Sequence, residues 1–349
     1  GVRVNSGGGG ASRVGKSSGA VVGVSKGKAR ANSRMMSSIR EFNWWLGEFW
    51  WKFAPDGLAG EPRRPLNVVI TGSSRGLGLA MAEAYLSRGD YVFINGRRQD
   101  SLESSLKYLR NKFPNKVAGL SGDVGDPDFV RMIGLRAKQF LGHVDVWINN
   151  AAVSYPTKRK FADTNPSDLA RVVNTNLLGI LYGTQTAYLL MRAQPTGGHI
   201  FNVEGTGSNG LATPEFVAYG ASKAPLKQIL MSLVKEFRGS GVCVHNVSPG
   251  VALTALQLAG RWTDMDWLRV LNVLAEAPST IANDLVPRMR RLVCSGRGPG
   301  ESGKTIRYLT QVSIFWRCLT AGWRINRWFD IWNAGTPVFN TTGLKEEDS

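Results

Sequence analysis

Cysteine and histidine are scarce in this 349-residue chain, with three of each. Cys243, Cys294 and Cys318 form an odd set without paired spacing, which argues against a disulfide framework and against a zinc site. His143, His199 and His245 are scattered at the edges of strand-like runs and read as structural residues, so no metal is expected. Residues 1–40 contain no Asp or Glu. No apolar run approaches the ~20 residues of a bilayer-spanning helix, and no internal repeat points to a solenoid or propeller. Positive charge, by contrast, is plentiful, at +17 formally. Such a balance suggests nucleic acid or an anionic surface, but no nucleic-acid-binding motif accompanies it, and much of the charge is terminal.

One glycine cluster has a definite setting. The β-branched run Asn67-Val68-Val69-Ile70 enters Thr71-Gly72-Ser73-Ser74-Arg75-Gly76-Leu77-Gly78, after which Leu77, Ala80, Met81, Ala84, Tyr85 and Leu86 recur at helical spacing. A buried strand, a glycine turn and a helix N-terminus suit a pyrophosphate, because glycine lets the backbone approach and the helix end supplies unpaired N–H groups. The spacing is Gly-x3-Gly-x-Gly, not the commoner Gly-x-Gly-x2-Gly. A second strand, Tyr91-Val92-Phe93-Ile94, ends in Asn95-Gly96-Arg97-Arg98, where an acidic residue would hold the ribose hydroxyls of NAD. None is present. Arg97 or Arg98 could pair with a 2′-phosphate, with Arg75 clamping from the turn, so NADPH is the expected cofactor.

A second constellation is Tyr219-Gly220-Ala221-Ser222-Lys223. Four residues apart on a helix, Tyr219 and Lys223 share a face. A free tyrosine titrates near pH ~10 and is a poor acid or base at neutrality; a neighbouring ammonium and an oxidised nicotinamide would lower that value. Further elements lie in order around this pair. Asp123-Val124 follows the strand Val117 to Leu120, where the aspartate could meet an adenine amino group. Val144 to Ile148 is a strand ending in Asn149-Asn150-Ala151-Ala152, and Asn176 lies in a helical pattern. Ile200 to Val203 is another strand, and Val242 to Val247 runs into Ser248-Pro249-Gly250 and Thr254.

Over roughly residues 66 to 256 these motifs, in this order, resemble the short-chain dehydrogenase/reductase family. The resemblance implies an α/β fold, a doubly wound parallel sheet in a single domain with N- and C-terminal extensions, and a cofactor at the carboxyl ends of the strands. It further implies that Tyr219 is the proton donor and that Lys223 binds the nicotinamide ribose and lowers the tyrosine pKa. Asn176 would position a relay water, Asn149 would steady the central strand, and Thr254 would touch the nicotinamide amide. Gly72, Ser74, Arg75, Gly76, Leu77, Gly78, Arg97, Asp123, Val124, Asn150, Ala151, Pro249 and Gly250 complete the implied cofactor site. Two departures stand out. Ala152 replaces the glycine of the family's Asn-Asn-Ala-Gly, and Gly205 stands near where the family places a substrate-binding serine. Ser208 or Thr206 could supply that hydroxyl; Glu204 either binds a polar substituent or points to solvent.

The second departure is informative. Asn202-Val203-Glu204-Gly205-Thr206-Gly207-Ser208-Asn209-Gly210, with Thr213-Pro214 and later Asn272 to Glu276 and Leu285 to Arg290, is similar to the chlorophyll b reductases of chloroplasts. This narrower resemblance extends to about residue 291 and implies NADPH-dependent reduction of the 7-formyl group of chlorophyll(ide) b to 7-hydroxymethyl. It also implies work at the stromal side of the thylakoid membrane, near a light-harvesting complex, as a homo- or hetero-oligomer with a related reductase. Two other readings remain open: a reductase of another lipophilic carbonyl (retinoid, steroid or acyl chain), or a non-catalytic pigment-binding scaffold subunit.

Five segments are expected. Residues 1–40 form a transit-peptide-like basic segment; the start at Gly1 fits a fragment or a processed form. Residues 41–61 form an aromatic segment, 62–292 the catalytic domain, 293–303 a Gly/Pro-rich linker, and 304–349 an aromatic, basic C-terminal segment and tail. Phe42 to Phe53 and Ile306 to Trp332 suit a membrane interface, packing on the core or on each other, or docking to a partner subunit.

Overall fold

The computed structural model describes residues 64–294 and 302–338, apart from 156, 259–260, 262 and 333–334. Seven parallel strands make one sheet in the order β3-β2-β1-β4-β5-β6-β7. They are β1 Asn67–Ile70, β2 Tyr91–Gly96, β3 Val117–Ser121, β4 Val146–Asn149, β5 Gly198–Val203, β6 Val242–Ser248 and β7 Thr305–Arg307. The chain winds outward from β1 to β3, returns to β4 beside β1, and winds outward again to β7. The reversal between β1 and β4 leaves a crevice at the carboxyl ends of the strands, where doubly wound sheets bind ligands.

The central strands are buried along their whole length, as both faces are covered. Val68 and Ile70 point to a core that includes Met81, Tyr85, Leu285 and Met289, while Val69 between them points to one holding Val130, Ile133, Ala187 and Met191. Successive strand residues face opposite ways, so a continuous apolar run serves two cores. The helices are α1 Gly76–Leu86, α2 Gln99–Lys112, α3 Pro127–Leu141, α4 Pro166–Val173, α5 Gly179–Arg192, α6 Val217–Lys223, α7 Leu226–Glu236, α8 Ala255–Leu258, α9 Met265–Leu274, α10 Pro278–Cys294 and α11 Gln311–Leu319. Local chemistry sets their ends. At α3 the Asp126 carboxylate accepts from the Asp128 N–H at 2.9 Å, Pro127 opens the helix, and Gly142 at φ +78° closes it.

The sheet extends past the expected catalytic boundary. β7 comes from the segment read as a terminal extension, and it pairs with β6 through Asn246–Thr305, Val247–Ile306 and Ser248–Arg307. A three-residue strand carries too little alternation to be seen in sequence. The aromatic segment that follows is also bound to the domain: Phe329 is fully buried with Leu253, Leu258, Leu268 and Leu271. The 41–61 segment and the basic 1–40 segment lie outside the described residues, as do residues 339–349.

A buried ion pair closes one face. Asp90 precedes β2; one carboxylate oxygen accepts from the Leu66 N–H at 2.8 Å and the other meets Arg290 of α10. Both side chains are buried, and burial pushes the Asp90 carboxyl above its usual range despite the guanidinium. Removing one member of such a pair strands the other. Arg290→Met should therefore lower unfolding free energy by about 3–5 kcal/mol, read from the urea midpoint, and adding Asp90→Asn should recover part of the loss.

Candidate active site

The glycine turn is shaped by contact. Gly72 and Gly76 have φ of +60° and +57°, where a side chain would strain the backbone. Gly78 has no room for one, since a Cβ would lie 2.3 Å from the Gly72 carbonyl and 2.6 Å from Asn150 Nδ2. Thr71 and Asn150 lock the turn to the loop after β4. The Thr71 hydroxyl accepts from the N–H groups of Asn150 and Ala151 at 3.0 and 3.2 Å, and Asn150 Nδ2 donates to the carbonyls of Thr71 and Gly72 at 3.0 and 2.9 Å. With these carbonyls tied back, α1 begins without a side-chain cap, and its first N–H groups can receive an anion. Ser74 also belongs to this cradle: a Cβ on Gly96 of β2 would lie 2.6 Å from its hydroxyl.

One cleft of about 1100 Å³ collects the expected cofactor residues. Gly72, Ser74, Arg75, Gly76, Leu77, Gly78, Arg97, Asp123, Val124, Asn150, Ala151, Tyr219, Lys223, Pro249, Gly250 and Thr254 all line it. The structure separates the two candidate arginines. Arg98 is bidentate on Asp100, at 3.1 and 2.6 Å, whereas Arg97 is exposed and makes no hydrogen bond or ion pair among the described residues. Asp123 accepts from the Gly125 N–H at 2.8 Å. The cradle and the uncapped helix end fit a dinucleotide.

Tyr219 and Lys223 share the buried face of α6. Lys223 Nζ donates to the Val203 carbonyl at 3.1 Å. Tyr155 positions the helix start by accepting from the Ala218 N–H at 3.1 Å. Asn176 lies in a wider π turn, Asn174–Leu178, between α4 and α5. Its side chain accepts from the Val153 N–H at 2.8 Å and donates to the Val153 carbonyl and the Ser222 hydroxyl at 2.9 and 3.1 Å. The amide is thus spent on bracing α6 and the loop after β4, and Asn176 does not line the cleft. Asn149 ties central strands together: it accepts from Trp147 Nε1 at 2.8 Å and donates to Asn202 and Thr184 at 2.8 and 3.0 Å.

The loop after β5 corrects the serine expectation. Ser208 does not line the cleft; its hydroxyl accepts from the Gly205 N–H at 3.0 Å and closes the turn. Gly205 takes the place beside the tyrosine, since a Cβ there would sit 2.5 Å from Tyr219 Oη and 3.4 Å from Lys223 Cε. Thr206 is the loop hydroxyl residue that lines the cleft. Glu204 is neither free nor simply solvated: it accepts from Asn246 Nδ2 at 3.1 Å and lies 3.6 Å from Arg307.

The titration pattern also differs from expectation. Burial pushes the Tyr219 phenol up to about 12. Burial pulls Lys223 down to about 8, against a smaller upward pull from Glu204. Desolvation disfavours the phenolate, so the buried phenol holds its proton at neutral pH. Elsewhere, His199 and His245 are not at strand edges but inside β5 and β6, buried and stacked, with His199 Nδ1 and His245 Nε2 3.1 Å apart. Cys243 joins them within 4.8 Å, away from the cleft-lining residues. Burial and the second ring hold His245 well below its usual range, so its imidazole is neutral in the core.

Sequence reasoning missed several members of this site. Gly205 carried a signal, a glycine where a hydroxyl was expected. Trp328, which lines the cleft, and Leu309, which packs against Gly250, carried none.

A tyrosine and lysine on one helix line the same cleft as a glycine cradle in a doubly wound sheet, the arrangement of a dinucleotide-dependent oxidoreductase. Residues 66–265 match the family model for short chain dehydrogenase, and the chain belongs to that family. It is 40% identical over 282 residues to a protein from Oryza sativa subsp. japonica named "Probable chlorophyll(ide) b reductase NYC1, chloroplastic", covering 76% of this chain and 54% of that one. The chain thus spans about half the length of the NYC1 relatives it matches. It is 36% identical over 254 residues to chlorophyll(ide) b reductase NOL, chloroplastic, of Arabidopsis thaliana, covering 72% of each chain. Among solved structures, a 3-oxoacyl-[acyl-carrier protein] reductase from Brucella melitensis in complex with NAD shares the fold, with a TM-score of 0.62 at 22% identity over 72% of this chain and 99% of that one.

Two measurements follow from this geometry. Gly205→Ala should lower kcat by about ten-fold or more, as displaced acid geometry does, while NADPH affinity stays within about two-fold; an unchanged kcat would mean the tyrosine does not need this space. Lys223 has a folded pKa below its unfolded value, so between about 8 and 10.5 the unfolded chain holds a proton the folded one has released. Stability should rise with pH across that window, by on the order of 2 kcal/mol between about pH 7.5 and 9.5, and Lys223→Met should remove this rise from the urea titration.

Proposed function

We propose that this chain reduces the 7-formyl group of chlorophyll b, or of phytol-free chlorophyllide b, to a 7-hydroxymethyl group with NADPH. The observation that carries the reading is the loop Glu204 to Ser208, whose glycine lies against the Tyr219 hydroxyl where a side chain would collide. That arrangement accompanies a similarity, spanning both domain and loop, to proteins named chlorophyll(ide) b reductases. The same names support a chloroplast location, and the thylakoid surface on the stromal side is the site we assign to it.

When bound, the reduced nicotinamide supplies the hydride that adds to the formyl carbon. The protein manages the charge that then grows on the formyl oxygen. Tyr219, kept protonated by burial, donates a hydrogen bond to that oxygen and then its proton, so stabilisation and general acid catalysis come from one group. Lys223 donates to the Val203 carbonyl, on the same helix as the tyrosine, and would hold the ribose. The Asn176 amide is committed to Val153 and Ser222, so its part is to brace the helix that carries Tyr219 and Lys223. Arg97 and Arg75, which both line the cleft, would hold the 2′-phosphate.

The decisive assay mixes the protein with chlorophyllide b and NADPH and follows loss of the formyl pigment and appearance of the 7-hydroxymethyl product by chromatography. Tyr219→Phe should lower turnover by about 100-fold or more with NADPH affinity retained. Undiminished turnover would remove the tyrosine from its role, and no product from the native protein would remove the substrate assignment. Arg97→Ala should weaken NADPH binding by about ten-fold and leave NADH binding unchanged; equal losses for both would refute the 2′-phosphate contact.

A further inference from the structure

Helix α11, Gln311–Leu319, is built inside out. Val312, Phe315, Trp316 and Leu319 stand at i, i+3, i+4 and i+7, which puts them on one face. A helix packed on a soluble core buries that stripe. Here all four are exposed, Phe315 by 63% and Trp316 by 57%. The polar stripe, Ser313, Arg317 and Thr320, is the half-buried one. The turn that follows continues the apolar surface with Trp323, 64% exposed, and Ile325.

Polar chemistry enforces this orientation. α9 ends on the carbonyls of Val273, Leu274 and Ala275, and each accepts from a different arginine: Arg324 at 3.0 Å, Arg317 at 2.8 Å and Arg327 at 3.0 Å. Glu276 lies among them, paired with Arg317 and Arg327. Asn272 accepts from the N–H groups of Trp328 and Phe329 and donates to the Phe329 carbonyl. A capping box between Thr310 and Ser313 sets the first turn of α11. Rotating the helix to bury its aromatic stripe would pull Arg317 off Leu274 and Glu276. These cations point inward, and the rings are left outside.

We propose that the outer face of α11 and the turn after it dock on an anionic lipid bilayer, with Phe315, Trp316, Leu319 and Trp323 entering the headgroup layer. Indole and phenyl rings on an exposed helix face suit that layer. The charge is complementary: between residues 302 and 338, Lys304, Arg307, Arg317, Arg324 and Arg327 stand against a single acid, Asp330, which accepts from Asn326. No helix among the described residues is long and apolar enough to cross a membrane, so the contact lies at the surface. It uses nothing of the chemistry in the cleft and stands apart from the substrate reading.

Sedimentation of the full chain with vesicles tests it, using phosphatidylglycerol mixed with phosphatidylcholine against phosphatidylcholine alone. The native protein should partition to the anionic vesicles, and the triple variant Phe315→Ser, Trp316→Ser, Trp323→Ser should lose at least about ten-fold in partition while keeping NADPH affinity. Unchanged partition would assign binding to another segment, such as residues 42–53, and no binding to either vesicle would end the proposal. A variant that changes only oligomeric state by light scattering would assign the face to a second copy instead. Should the triple variant not fold, brominated lipid should quench native tryptophan fluorescence more than that of Trp316→Phe, Trp323→Phe; equal quenching overturns the docking face.

Discussion

The lock between Thr71 and Asn150 is the interaction on which the site depends. Four hydrogen bonds join the glycine turn to the loop after β4 across the place where strand order reverses. They bring the backbones so close that a Cβ on Gly72 would lie 2.5 Å from the Ala151 Cα. Each neighbouring part leans on that contact. The uncapped start of α1 is aimed by it, and the Asn176 brace hangs from Val153 two residues beyond Ala151. Through Ser222, whose hydroxyl donates to the Tyr219 carbonyl at 2.7 Å, that brace reaches Tyr219. Cofactor cradle and acid are thereby parts of one hydrogen-bonded frame.

The frame also accounts for two buried groups that would otherwise be liabilities. Lys223 lies in a desolvated position because its ammonium has the Val203 carbonyl as partner and Glu204 nearby as countercharge. Tyr219 keeps its proton for the same reason that it is buried. A protein interior that disfavours phenolate stores an acid, and the added cation of an oxidised cofactor would then favour the opposite state. One environment can in this way serve both directions of proton transfer, with bound charge deciding between them.

What could be read from the sequence followed from periodicity and spacing. β1, its turn and α1 were visible because a β-branched run, glycines and a helical period succeed one another over twenty residues. Tyr219 and Lys223 were visible because four residues make one helical turn. β7 was not, as Thr305-Ile306-Arg307 is too short to show alternation. The fate of Ser208 was hidden for a different reason: whether a hydroxyl faces a cleft or caps a backbone N–H depends on the path of a loop, and Gly207 at φ +94° sets that path. The inward arginines of the C-terminal segment were likewise unreadable, since their partners are carbonyls about fifty residues away.

The pair between Asp90 and Arg290 spans 200 residues of chain. During synthesis, the carboxylate that organises the start of β2 must wait for most of the domain to emerge before its countercharge arrives, and β7 comes later still. Until then burying Asp90 is unfavourable, and the edge of β6 lacks its neighbour. Final closure of the sheet is therefore a late, long-range event, in which α10 is tied to the start of β2 and β7 pairs with β6.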